Sequence, residues 1–162
     1  MTSCKLYKTL LCFYFILFLS FLSSCGYQSL LNENSKKFSI KSFNIEGNKR
    51  LAQILKNNLI SSRNKSNNLI LYINARKNRS IKHKDSSGKI IEYNLQISFD
   101  LTATESVSRK KVLSKTFTLD DNYKASDLYM DTINYEKKII NKLVESIASQ
   151  ILIDLNLVYG KE

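Results

Sequence analysis

Residues 91–103 read IEYNLQISFDLTA. Ile91, Tyr93, Leu95, Ile97, Phe99, Leu101 and Ala103 are all apolar. Glu92, Asn94, Gln96, Ser98, Asp100 and Thr102 lie between them and are all polar. A helix would scatter these side chains around its circumference. A strand sends successive side chains to opposite faces, so this stretch is a long strand with one buried face and one wet face. The buried face needs a covering layer, and that requirement organises the rest of the chain.

On the N-terminal side, Leu69, Leu71, Ile73 and Ala75 alternate in the same way. This strand is expected to fade into RKNRSIKHKDSSGK (residues 76–89), where Ser87-Gly88 marks a hairpin turn. On the C-terminal side, residues 105–111 turn the chain, and Leu113, Phe117 and Leu119 form a further strand with Lys115 out of place on its inner side. Phe38 and Ile40, then Phe43 and Ile45, give a first strand whose alternation slips by one, as at a bulge. Glu46-Gly47-Asn48 reads as a turn and Asn48 as the N-cap of a short helix running to about Ser61, with Leu51, Ile54, Leu55 and Leu59 on one face. Residues 62–68 read as a loop and 120–131 as an irregular connection. A long helix is expected over residues 132–157, with Ile140, Leu143, Val144, Ile147, Ile151 and Leu155 on one stripe. Ile139, Leu152 and Ile153 widen that stripe, which implies a second packing partner or a deeply buried end. The expected fold is α+β: a two-layer sandwich of about four mostly antiparallel strands with two helices on one face, in the order β-α-β-β-β-α.

The first two dozen residues follow other rules. Lys5 and Lys8 precede a run from Leu10 to Leu22 interrupted only by Ser20, and Ser23, Ser24 and Cys25 follow. A basic start, a short apolar centre and a small-residue end form the layout of a secretory signal. A membrane-spanning anchor is the rival, but spanning takes roughly 20 apolar residues and this run is shorter. Leu22-Ser23-Ser24-Cys25 resembles the bacterial lipobox, an aliphatic residue and two small ones before a Cys. That resemblance implies cleavage before Cys25, with a diacylglycerol on its thiol and an N-acyl chain on its amine. Cys4 and Cys12 would leave with the signal, so Cys25 would have no disulfide partner. Two or three acyl chains, at about 0.8 kcal/mol per buried methylene, anchor a protein firmly. Gly26, rather than Asp, follows the Cys. In lipoproteins of this kind that favours the outer membrane.

The chain carries a net charge of +11, which falls to +9 when Lys5 and Lys8 leave with the signal. Such a charge suits nucleic acid. Export across the inner membrane argues against that partner and for lipid or glycolipid phosphates. The richness in Lys, Asn, Ile and Ser, with four Gly and no Pro, also reads as codon bias. Arg76, Lys77, Arg79, Lys82, Lys84 and Lys89 gather at one hairpin, and both an anion contact and a merely solvated hairpin fit them. The polar face of the central strand suits either water or the polar interior of a membrane β-barrel. Enzyme signatures are scarce. His83 stands between two lysines in an expected turn, and Asp120 and Asp121 are adjacent and point apart on a strand. No metal, nucleophile or phosphate-loop pattern stands out, so the chain is expected to be neither an enzyme nor a cofactor protein.

Taken in order, Cys25-Gly26-Tyr27, a strand and helix, a long alternating strand with Glu92-Tyr93-Asn94-Leu95, and the tail INKLVESIASQIL (residues 140–152) are similar to the LPS-assembly lipoprotein LptE family. The resemblance covers nearly the whole chain, by pattern more than identity. It implies a signal peptide at residues 1–24, a lipidated tether at 25–37 and an LptE-like domain at 38–160. It also implies a periplasm-facing outer-membrane lipoprotein that plugs and helps assemble the LptD β-barrel and assists lipopolysaccharide delivery. Basic residues at the hairpin and last helix contact lipopolysaccharide in that family, and Lys84, Lys89, Lys138 and Lys142 are the nearest positions here. A regulator of a periplasmic enzyme, or an auxiliary lipoprotein of a lipid-transport ABC system, has the same anchor and a similar small domain.

Overall fold

A computed structural model describes residues 38–59 and 68–159. The expected signal, Cys25, the tether and the 62–67 part of the expected loop lie outside the described residues. Four strands, β1 (Ser39–Gly47), β2 (Asn68–Lys84), β3 (Ile90–Glu105) and β4 (Lys111–Lys124), form one sheet in the order β1-β2-β3-β4. Helix α1 (Lys49–Leu59) joins β1 to β2, and α2 (Tyr129–Tyr159) follows β4. The β2–β3 and β3–β4 pairs are antiparallel, whereas β1 runs parallel to β2. Parallel neighbours need a crossover, which the segment containing α1 supplies.

The alternation of β3 sets the inner face. Leu95, Ile97, Phe99, Leu101 and Ala103 are fully or almost fully buried. They stand opposite Arg79, Lys77, Ala75, Ile73 and Leu71 of β2 and opposite Asp121, Leu119, Phe117, Lys115 and Leu113 of β4. Both helices cover this face. Leu51, Ala52, Leu55 and Leu59 of α1 and Leu143, Val144, Ile147, Ile151 and Leu155 of α2 join the same core. Each fully buried Leu, Ile or Phe contributes about 1.5–3 kcal/mol from removal of apolar surface from water. Helix α2 packs on α1 as well as on β3 and β4, which accounts for its broad apolar stripe. Leu152 is buried, whereas Ile153 remains substantially exposed.

Local features follow the sequence closely at the β1–α1 junction. The pairing of β1 with β2 shifts register between Ile40 and Ser42, so Ile40 and Phe43 both face inward across the bulge. Asn48 caps α1, its side-chain oxygen accepting a 3.1 Å hydrogen bond from the Leu51 N–H. Its own N–H donates to the Ala75 carbonyl at 2.8 Å. At the β2–β3 hairpin the Asp85 carboxylate accepts bonds from the Ser87 and Lys89 N–H groups, both 2.9 Å, and Gly88 takes φ +85°.

Three boundaries differ from expectation. β2 continues to Lys84 rather than fading after Ala75, so the cationic stretch and His83 are strand residues rather than turn residues. β4 continues to Lys124, through residues expected to be irregular. α2 starts at Tyr129, three residues early, because exposed Tyr129 and Met130 give no periodic signal. In the two strands the added residues include inward-facing charges, and their partners come from α2.

Candidate functional site

The inner face ends in charge rather than hydrocarbon. Lys77 and Arg79 keep the two-residue phase of Leu69 to Ala75, so their side chains point toward the helix layer. Glu136 of α2, only 7% exposed, comes down between them. It accepts the Lys77 ammonium at 2.7 Å, the Arg79 guanidinium at 3.2 Å and the Tyr123 hydroxyl at 2.9 Å. The Arg79 guanidinium also lies 4.9 Å from the centre of the Tyr93 ring, which stacks on Tyr123 with centroids 5.4 Å apart. Burial alone would raise the Glu136 carboxyl, but the hydrogen bonds and charges of Lys77, Tyr123 and Arg79 hold it below the usual carboxylate range. Burial and the bond to Glu136 push the Tyr123 phenol up to about 12.

Two further inward charges meet α2. Asp121 accepts Lys142 at 2.8 Å, and Lys115 reaches Asp154 at 2.8 Å. Lys142 and Lys115 are more than half exposed. Pairs this wet contribute about 0–1 kcal/mol each and act mainly on the alignment of α2 with the sheet. Asp120 points the other way, to Asn94 on the outer face. The two adjacent carboxylates therefore do not cooperate.

That outer face has no helix against it among the described residues. It is built of hydroxyls and amides that bond one another across the strands. Ser98 meets Thr118 at 2.9 Å and Thr102 meets Ser114 at 3.3 Å. The Asn94 amide donates to Asp120 at 3.0 Å and to Asn122 at 3.1 Å. Asp100 accepts from Thr116 at 2.8 Å and from Arg76 at 2.9 Å. The face is broad, polar and nearly balanced in charge. Such a surface can meet another polar surface without stranding a charge.

The lysines singled out from sequence fall on two elements. Lys84 ends β2 and Lys89 follows the hairpin turn, where it pairs with Asp127 of the β4–α2 loop. Lys138 and Lys142 lie on α2. Lys142 is engaged by Asp121 and Lys89 by Asp127, whereas Lys84 and Lys138 have no ion pair among the described residues. His83 bonds Glu92 at 2.7 Å on the neighbouring strand. Glu136 and Tyr123 are the members of the inner cluster that sequence reading passed over, whereas the alternation of the central strand already puts Tyr93 on the inner face. The available signal was cations holding the inward phase at 77 and 79, since such cations require an acid from elsewhere.

No family model matches the chain, and no curated protein matches it. Solved structures do share its fold. A candidate lipoprotein from Caulobacter crescentus is 18% identical with a TM-score of 0.61, over 80% of this chain and 96% of its own. Rare lipoprotein B from Shewanella oneidensis is 12% identical with a TM-score of 0.55, over 74% and 97%. A minor lipoprotein from Acinetobacter baumannii is 18% identical with a TM-score of 0.52, over 75% and 92%. At these identities the likeness shows a common α+β fold. No helix among the described residues is long and apolar enough to cross a membrane.

Proposed function

We propose that this chain is an outer-membrane lipoprotein, anchored through Cys25, that plugs and helps assemble a large LptD-like β-barrel and assists delivery of lipopolysaccharide. The polar face of the sheet, which no helix covers among the described residues, carries the reading. Barrel lumens are polar, and a sheet face whose hydroxyls, amides and charges are already paired can line such a wall at little desolvation cost. The lipobox ending at Cys25 supports the compartment, and the bacterial lipoproteins of the same fold support the class. The basic residues Lys84, Lys89, Lys138 and Lys142 are the proposed lipopolysaccharide contacts. Of these, Lys84 and Lys138 are the most available, since neither has an ion pair among the described residues.

Affinity purification of the full-length protein from native outer membrane is expected to bring down a large heat-modifiable barrel. Recovery of only a periplasmic synthase or an inner-membrane permease would replace this reading with an enzyme regulator or a transport auxiliary. The anchor is tested separately. Cys25→Ala is expected to abolish metabolic labelling by fatty acid, and undiminished labelling of that variant would refute the lipobox.

A further inference from the structure

A cleft of about 280 Å³ opens where the start of α1 meets α2 above the end of the β2 core. Its apolar lining is Leu51 and Ile54 from α1 with Ile133 and Ile140 from α2. Its cations are Arg50, Lys77 and Lys137; Lys77 is held by Glu136, whereas Arg50 and Lys137 have no ion pair among the described residues. The one acid in the lining, Glu136, is already neutralised by Lys77 and Arg79. The cleft therefore joins an apolar floor to uncompensated positive charge.

We infer that this cleft binds a free single-chain anionic amphiphile of the fatty-acid class, its chain on the Ile54–Ile133–Ile140 floor and its carboxylate between Arg50 and Lys137. Ligand pockets run from about 300 to 1,000 Å³, so this one lies just below that range. That size suits one chain and not the several chains of a glycolipid. The charge selects an anion over a neutral lipid, because an anionic group there meets two cations free to form charge-assisted bonds. The cleft lies in the helix layer, on the opposite side of the sheet from the polar face. The inference does not depend on the barrel.

The test uses the full lipidated protein in phosphatidylcholine nanodiscs with a dodecanoate carrying a terminal diazirine. After irradiation, cross-links are expected on the peptides bearing Leu51 and Ile54 and those bearing Ile133 and Ile140. Dodecanol with the same diazirine is expected to label these peptides at least about fivefold less, equivalent to ~1 kcal/mol. The exposed pair Arg50→Gln with Lys137→Gln is expected to lower dodecanoate labelling by a similar factor with an unchanged melting temperature. Ile54→Trp, which fills the cleft, is expected to remove the labelling. Labelling spread over the whole chain, equal labelling by the alcohol, or displacement by purified lipopolysaccharide but not by laurate would each overturn the inference. Recovery of the barrel in the purification above bears only on the earlier reading.

Discussion

Replacing Lys77 and Arg79 together by Met is expected to destabilise the fold by about 3–5 kcal/mol, the usual cost of stranding a buried charge. Met keeps an unbranched, flexible chain at both positions, so the change is chiefly one of charge. Glu136 would remain 7% exposed in the native geometry with only the neutral Tyr123 hydroxyl as a donor. Glu136→Ala is expected to cost less, about 1–3 kcal/mol. The Lys77 and Arg79 side chains are 33% and 45% exposed and can turn their charge into water once the acid has gone. The asymmetry lies in burial, since only the carboxylate is trapped. The two proteins should also differ in pH dependence. In the native protein the Glu136 carboxyl is held below its ordinary value. Its stabilisation is therefore present above the unfolded carboxylate value, roughly pH 4.3, and is lost as pH falls through the lower folded value. In the double Met variant burial acts without the cations and raises the carboxyl, so that protein loses stability as pH rises from acid toward neutrality. Urea unfolding followed by circular dichroism at pH 4 and pH 7 checks both points. The gap between native and double variant should be larger at pH 7. A larger loss for Glu136→Ala than for the double variant would show that the cations, not the acid, are the trapped partners.

The same charges explain which parts of the molecule the sequence made legible. β3 could be read outright because its own inward residues are all apolar, and its alternation runs unbroken from Tyr93 to Ala103. The slip between Ile40 and Phe43 is a bulge, and Asn48 is a cap, because both depend on residues close in sequence. The second halves of β2 and β4 were hidden for the opposite reason. Lys77, Arg79 and Asp121 occupy inner positions where hydrophobic pattern is the only local guide, and α2 supplies their counter-charges from 21 to 59 residues away. Lys115, the apparent error in β4, is resolved in the same manner by Asp154. The candidate site divides along this line too. The polar outer face of β3 was visible because it depends on period alone. The Glu136 cluster was not, since one acid among the polar residues of a helix says nothing about what lies beneath it. The parallel pairing of β1 with β2 was likewise unmarked, because side-chain alternation is the same in either direction.

Gly47→Ala should be the most damaging single-methyl change at a turn in this protein, with an expected loss of about 3 kcal/mol. Two terms contribute. Gly47 has φ +72°, and a non-glycine residue held in that region costs about 1–2 kcal/mol. A Cβ there would also stand 2.4 Å from the Ala75 carbonyl oxygen and 2.6 Å from the Asn74 side-chain oxygen. The Asn74 side chain can turn away, but the carbonyl belongs to the β2 backbone. It also accepts the Asn48 N–H at 2.8 Å, so relieving the clash strains the bond that seats the α1 cap, a bond worth about 1 kcal/mol. The effect should therefore reach beyond the turn, loosening α1 at its N-terminus and the β1–β2 pairing at Gly47–Ala75. Gly88→Ala separates the two terms. Gly88 has φ +85° but nothing within 4 Å of its would-be Cβ, so it should lose only the conformational cost. Chemical denaturation of the two variants gives the difference directly, and hydrogen exchange at the Asn48 and Leu51 amides locates it. Equal losses at the two glycines would mean that β2 yields to the new methyl group. A larger loss at Gly47, with faster exchange at both amides, would identify the close approach of the two backbones as what fixes the β1–α1 corner.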